Sequence, residues 1–292
     1  MYHQPVLLTE TLKLLDPQKG QVILDCTLGN GGHTLAILKT GATVYGLDAD
    51  PQNLSLATDR IKKEGLDKNF HPLLGNFKDL KEIIDTKLPR SPDSILADLG
   101  LSQNQQVSQD RGFSFNDEKS IDMRLNPDLE DQESAENLIN TADFDTLYDI
   151  FTKLAQEKYS KPLILRIIRQ RQKEPIKSSK RLADIIRDYY QTKGIKSKID
   201  PSTKIFLALK IYINQEFENL RSFLDQSLSL ESNTKVAIIS FHSGEDRIVK
   251  QFIKQNQNKL ISLNKKAILP SFAETKQNPL SRSALLRAYQ II

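Results

Sequence analysis

Residues 24–38, LDCTLGNGGHTLAIL, carry an apolar run that breaks into Gly29-Asn30-Gly31-Gly32 and resumes with helical spacing from His33. A bend that follows a strand and opens a helix collects backbone N–H groups and lets a ligand lie directly on the main chain. The spacing is not G-x-G-x-x-G and no Gly-Lys-Ser/Thr step follows, which argues against a phosphate-cradling P-loop. Nineteen residues beyond Gly29, Asp48 sits at the end of a second apolar run, TVYGLDAD. A carboxylate there can accept both hydroxyls of a ribose. Glycine bend and strand-end acid together suit either a dinucleotide or S-adenosylmethionine. The same residues also fit plain structural roles, tight turns for the glycines and a helix N-cap for Asp48, although Asp50 before Pro51 suits the cap better. Phe77, in GNF, has two readings: a cover for an adenine face or a core side chain. Asp98 ends the run SILAD, where a buried acid is costly unless paired, and this favours a functional role.

The elements that must position these residues alternate through the first hundred positions. Strand signals at 22–29, 43–50, 70–77 (the weakest) and 94–102 are separated by helical patterns at 32–41, 51–65 and 78–88. This order predicts a doubly wound parallel sheet with its ligand crevice at the carboxyl ends of the strands. The rhythm then stops. Residues 103–133 read as loop, 134–192 give only helical periods, and one long helix is expected from Pro201 through KIFLALKIYINQEFENLRSFLDQSL. The strand TKVAIISFH (234–242), a helix over 245–256 and strand-like segments near 260 and 285 resume the sheet. The expected organisation is therefore α/β: a Rossmann-like sheet domain in two parts, 1–103 and 205–292, around an all-helical insertion, 104–204.

Composition bounds the partners. The 292 residues are 38% apolar and 27% charged, as in soluble globular proteins. No run reaches the ~18 apolar residues needed to span a bilayer, and the start, MYHQPVLLTE, has neither secretory nor transit character. A cytoplasmic protein without membrane contact is expected. With Cys26 as the single cysteine, neither an intrachain disulfide nor a cysteine-based zinc site can form. The net charge of +4 conceals an asymmetry: residues 105–152 carry 12 acidic and 3 basic side chains, and residues 153–198 carry 14 basic and 4 acidic ones. Two readings fit, antiparallel helical segments whose charges offset each other or a basic face for a polyanion.

The blocks HQPVLLTE, DCTLGNGGHT, DADP, GNF, DLGLS, RGFSF, IDMRLNP, IISFHSGEDRIVK and NPLSRSALLR occur in this order along essentially the whole chain. Together they closely resemble the MraW-type family of bacterial 16S ribosomal RNA cytosine-N4 methyltransferases. The resemblance implies a Rossmann-like methyltransferase domain with an inserted helical domain. It further implies S-adenosyl-L-methionine as cofactor, no metal, and a cytosine in the decoding region of 16S ribosomal RNA as substrate, within the small ribosomal subunit. By that resemblance Gly31, Gly32 and His33 contact the cofactor, Asp48 holds its ribose, and Phe77, Asp98 and Gln105 complete the pocket. Asp98 is also the candidate catalytic acceptor for the reacting amine. The Asp/Asn-Pro-Pro-aromatic loop of DNA amino-methyltransferases is absent after the fourth strand, which counts against a DNA substrate. A noncatalytic RNA-binding factor on the same fold is the alternative from another class.

Departures from the family pattern concentrate outside the cofactor blocks. SQNQ (102–105) replaces Ser-Ser-Pro-Gln, Gln156-Glu157-Lys158 replaces Gly-Glu-Glu, Lys161-Pro162 replaces an Arg-rich helix start, and Asp200 stands in place of a His. Gly244 occupies a usual Leu position, expected to loosen its turn, and Leu280 a usual basic one. In RGFSFNDEKSIDMRLN (111–126), Phe113 and Phe115 bracket Ser114 near Arg111, Met123 and Arg124. That stretch reads equally as a sandwich for a flipped base and as a loop pinned to the core by its two rings. Phe241, His242 and Ser243, at the end of the fifth strand, are candidates for the acceptor side.

Overall fold

The computed structural model describes residues 4–108 and 110–292; His3, at the head of the HQPVLLTE block, lies outside them. Among the described residues seven strands form one sheet: β1 (Val22–Asp25), β2 (Thr43–Asp48), β3 (Phe70–Leu74), β4 (Ser94–Asp98), β5 (Lys235–Ser240), β6 (Leu260–Ser262) and β7 (Leu285–Ile291). Their order is β3-β2-β1-β4-β5-β7-β6. The first five run parallel, as expected for a Rossmann-like doubly wound sheet, whereas β7 inserts antiparallel between β5 and β6.

The strands read as continuous apolar runs because helices cover both faces of the sheet. Alternation sends Val22, Leu24, Val236 and Ile238 into one core layer, and Ile23, Val44, Ala237 and Ile239 into the other. β3 is the outer strand, with His71, Pro72 and Leu74 exposed, which explains its faint signal. Pro72 is tolerated at such an edge because no further strand needs its missing N–H.

The chain divides into two compact units, Met1–Gln103 with Phe217–Ile292, and Asn104–Glu216. The second unit is helical. Leu163, Ile164 and Ile167 of the helix Ser160–Arg171, and Leu182, Ile185, Ile186 and Tyr189 of the helix Ser179–Thr192, recur at three- and four-residue spacing and bury in its own core. The return to the sheet-bearing unit falls at 217 rather than at the expected 205. The helix Ser202–Ile213 gives Ile205, Phe206, Leu209 and Ile213 to the helical core.

The single long helix expected from Pro201 is two helices, Ser202–Ile213 and Glu216–Ser227. Gln215 between them adopts a left-handed φ of 50°. Buried Asn214 holds the break: its amide donates to the carbonyls of Met123 (2.8 Å) and Lys210 (3.0 Å), and its Oδ1 accepts from Leu125 N (2.8 Å). Residues 103–133, expected as loop, include a short helix, Gln103–Val107. No helix among the described residues is long and apolar enough to cross a membrane.

Truncating Asn214 leaves buried main-chain groups of Met123 and Leu125 unsatisfied. Asn214→Ala is expected to lower the stability of the helical unit by about 1–3 kcal/mol, read as a lower urea midpoint in the helical circular-dichroism signal. An unchanged midpoint contradicts this account of the break.

Candidate functional site at the carboxyl edge of the sheet

Three strand ends and the bend after β1 converge on one edge. The bend is held from beneath by β2: Asp48 Oδ2 accepts from Gly29 N at 2.7 Å and Oδ1 from Asp50 N at 2.8 Å, and the Asn53 amide lies 3.3 Å from both oxygens. Asp50, not Asp48, caps the helix Pro51–Lys63, accepting from Gln52 N. Two glycines are obligatory by geometry. Gly31 has φ +72°, and a Cβ there would lie 3.2 Å from Ala57 Cβ; at Gly32 it would lie 2.6 Å from Pro5 Cγ. The bend is thus enclosed on two sides by the helix after β2 and by the N-terminal segment, with bare main chain between them.

Asp25 ends β1 fully buried, accepting from Thr34 Oγ1 (2.6 Å) and Thr27 N (3.2 Å). Thr27 in turn accepts from Asp98 N at 2.6 Å, so one hydroxyl ties the end of β4 to the exit of β1. Asp98 presents its carboxylate beside His33, with Oδ2 3.6 Å from Nε2; the His33 side chain is 7% exposed and that of Asp98 24%. Both His33 ring nitrogens, Asp98 Oδ1 and Asn30 Oδ1 are buried and lack a hydrogen-bond partner. Buried polar atoms of this kind are ones that a polar ligand can satisfy.

Burial pushes the Asp48 carboxyl up to about 6, against the lowering effect of the Asp50 and Gly29 N–H groups and of Asn53. Burial also raises Asp25, only partly opposed by the Thr34 hydroxyl. Phe77, on the turn after β3, is half-buried and meets Phe223 edge-to-face at 5.7 Å, so one flank serves the core. After β5, Phe241 N donates to the buried carboxylate of Glu245 (2.9 Å), whose other oxygen lies 3.2 Å from His242 Nε2.

Among the sequence-predicted residues, the sheet-bearing unit brings Gly31, Gly32, His33, Asp48 and Asp98 together at this edge, with Phe77 on the turn after β3. Gln105 belongs to the helical unit, buried on the helix Gln103–Val107. Asp25, Thr27, Asn53 and Pro5 were not singled out by the sequence reading. An acid closing an apolar run was the available signal for Asp25, as it was for Asp48 and Asp98.

The loop expected to hold a base or pin itself to the core does the latter. Phe113 and Phe115 pack against the helical core, and Phe115 meets Phe206 edge-to-face at 5.6 Å. At Gly244 the room for a side chain is already taken. A Cβ there would lie 2.6 Å from Phe217 Cζ, so the ring of Phe217 occupies the space a larger residue would take. The acidic and basic stretches are joined by Lys180–Glu118 and Lys153–Asp149, while Arg166 pairs with Asp188 and Arg187 with Asp184 and Asp200. Asp200 thus neutralises an arginine of the basic stretch.

The sequence matches the MraW methylase family over residues 1–292. The chain belongs to that family. It is 38% identical over 286 residues to ribosomal RNA small subunit methyltransferase H of Deinococcus radiodurans, covering 98% of this chain and 88% of that one. Identity is also 38% over 292 residues to the protein of the same name from Hydrogenobaculum sp., with 99% and 96% covered. The Ehrlichia chaffeensis protein of that name is 36% identical over 296 residues, with 98% of each chain covered. In this member of the MraW family the glycine bend and the strand-end acids form one connected hydrogen-bonded edge.

The raised Asp48 carboxyl makes a signed prediction. Below about pH 4 the group is protonated in folded and unfolded chains alike, and its burial carries no penalty. As pH rises to about 6 the unfolded chain loses the proton first, so the folded state is progressively disfavoured, by roughly 3 kcal/mol in full. Asp48→Asn removes this penalty while losing an acceptor. The difference in urea stability between Asp48→Asn and the parent is expected to move in the variant's favour as pH rises from 4 to 7. A pH-independent difference contradicts it.

Proposed function

We propose that this crevice binds S-adenosylmethionine and directs methyl transfer to the exocyclic N4 of a cytosine in the decoding region of 16S ribosomal RNA. We further propose that it acts in the cytoplasm, on RNA held within the small subunit. The observation that carries this reading is the juxtaposition, at one sheet edge, of a glycine-rich bend, a strand-end acid on β2 and unpartnered buried polar atoms of His33 and Asp98. Family membership and the printed names of the relatives support the rRNA substrate class.

The residues present suit such a cofactor. Gly31 and Gly32 let the bend seat against Ala57 and Pro5 at the start of the helix, and His33 opens that helix beside them. Asp48, at the end of β2, is the acid proposed for the ribose hydroxyls, which would compete there with the long 3.3 Å contacts from Asn53, and the half-buried ring of Phe77 covers the base. The proposed role of Gln105 follows the resemblance alone.

Bound S-adenosylmethionine supplies a methyl group already activated by its sulfonium, so no metal is required. The remaining task belongs to the chain: the N4 lone pair is delocalised into the cytosine ring and must be turned toward the methyl carbon. Asp98 accepts a hydrogen bond from the amine as it becomes tetrahedral, and Thr27 fixes that acid through its main-chain N–H. Alignment of this kind lowers barriers by up to ~7–11 kcal/mol in well-oriented systems.

Asp98→Asn tests the catalytic assignment. Single-turnover transfer at saturating cofactor is expected to fall about a hundredfold or more, with cofactor affinity measured by calorimetry nearly kept. Collapsed affinity with normal chemistry refutes it and leaves Asp98 a purely cofactor-binding residue. Ribose hydroxyls donate more strongly to the ionised form of Asp48. Cofactor affinity is therefore expected to strengthen as pH rises through about 6, with proton release seen as a buffer-dependent binding enthalpy. A flat pH profile removes Asp48 from the ribose site.

A further inference from the structure

Residues 263–284 start beside the middle of β7, where Ser262 pairs with Tyr289 level with Val236, and rise past the Ile268–Leu286 pairing to the carboxyl edge of the sheet. β6 and β5 both pair antiparallel with β7, so they run in the same direction; β6 ends at Ser262, and β7 begins at Leu285 opposite Ser240, the last residue of β5. The segment between them is tied to the glycine bend by the N-terminal chain. Pro5 packs where a side chain on Gly32 would be, Gln4 O accepts from the Asn278 amide (3.1 Å), and Leu7 N donates to Glu274 (2.8 Å). Further bonds fix its path: Ile268 and Leu286 exchange both main-chain hydrogen bonds at 2.9 Å, and Ser271 caps the short helix Phe272–Gln277.

On this anchored segment Phe272 is 86% exposed and Leu269 62%. Lys265, Lys266, Lys276 and Arg282 of the same segment are exposed as well, four basic residues against one acid, Glu274, whose carboxylate is taken by Leu7 N. A solvent-exposed aromatic ring on an anchored segment rich in exposed cations fits a strand of unpaired nucleic acid: the ring stacks on a base and the cations track phosphates. An apolar partner protein would leave those cations uncompensated.

We propose that residues 263–284 form the docking platform for single-stranded RNA flanking the target nucleotide, with Phe272 as the stacking residue and Lys265 and Lys266 as phosphate contacts. This rests on the RNA-methylating reading above. Leu280, where the family commonly carries a basic residue, shifts the balance on this platform from phosphate attraction toward apolar and stacking contact.

The test uses the full chain and a single-stranded RNA oligonucleotide copied from the 16S decoding region. Binding is followed by fluorescence anisotropy over a range of salt, beside calorimetric cofactor binding and methyl transfer. Phe272→Ala is expected to weaken RNA binding roughly tenfold to a hundredfold, while Phe272→Tyr keeps it. Replacing Lys265 and Lys266 together by Ala is expected to reduce the salt slope by about 1.4. Cofactor affinity and thermal stability stay at the parental value in all three, since every replaced side chain is exposed. Unchanged RNA affinity and salt slope overturn the platform while leaving the methyltransferase reading intact. A parent that binds no cofactor and transfers no methyl group defeats that reading instead, and the RNA-binding comparison still decides the platform. Self-association abolished by Phe272→Ala without loss of RNA affinity assigns the surface to a second copy of the chain and overturns the proposal.

Discussion

The Asp48 carboxylate bears on everything at this edge. It accepts from Gly29 N and Asp50 N and lies within reach of the Asn53 amide, so one buried group joins the bend after β1, the end of β2 and the helix that follows it. No cation stands among the groups that shift it, and its affinity for a proton rises accordingly. A buried acid held by neutral donors alone is a standing cost. Four donor contacts, from Gly29, Asp50 and the Asn53 amide on both oxygens, offset part of that cost. The same logic applies to Asp98 and His33, which face each other at 3.6 Å with ring nitrogens and one carboxylate oxygen left unpaired.

The crossover that the helical insertion interrupts along the chain is still complete within the sheet-bearing unit. β4 and β5 are adjacent and parallel, so a helix must cross between them on one face of the sheet. The helix Glu216–Ser227 does so, burying Leu220, Phe223 and Leu224 in the layer that also holds Leu24 and Ile238. The insertion therefore occupies the loop between β4 and that helix, the kind of connection that tolerates length best in an α/β sheet. Asn214 and Gln215 mark the exit: a side-chain clamp and one left-handed residue end a helix that carries no Gly or Pro at that point.

Much of the fold was legible because burial on both faces makes the central strands uniformly apolar, and strand-end acids then stand out. Asp48, Asp98 and the twin glycines are visible on those grounds. β3 was faint because an outer strand exposes half its residues. The helix from Pro201 ran on in the sequence reading because apolar spacing continues from Ile213 to Phe217 and Leu220. Which core the residues 205–213 enter is decided by tertiary packing and leaves no mark in their periodicity. Thr27, Asn53 and Pro5 were silent for a related reason, since each acts through one partner far along the chain. The filled space at Gly244 was silent too, because the ring that occupies it belongs to Phe217, 27 residues earlier.

The N-terminal segment shows why the bend cannot be understood from its glycines alone. Pro5 lies so close to Gly32 that a Cβ there would overlap the pyrrolidine ring, so any substitution must displace the segment. That displacement would also disturb the bonds from Asn278 to Gln4 and from Leu7 to Glu274, which fix the connection between β6 and β7. The absence of a side chain at Gly32 thus couples two surfaces: the bend after β1 and, through the N-terminal segment seated on it, the connection between β6 and β7. A residue whose missing atoms couple two surfaces is constrained more tightly than either surface alone would require.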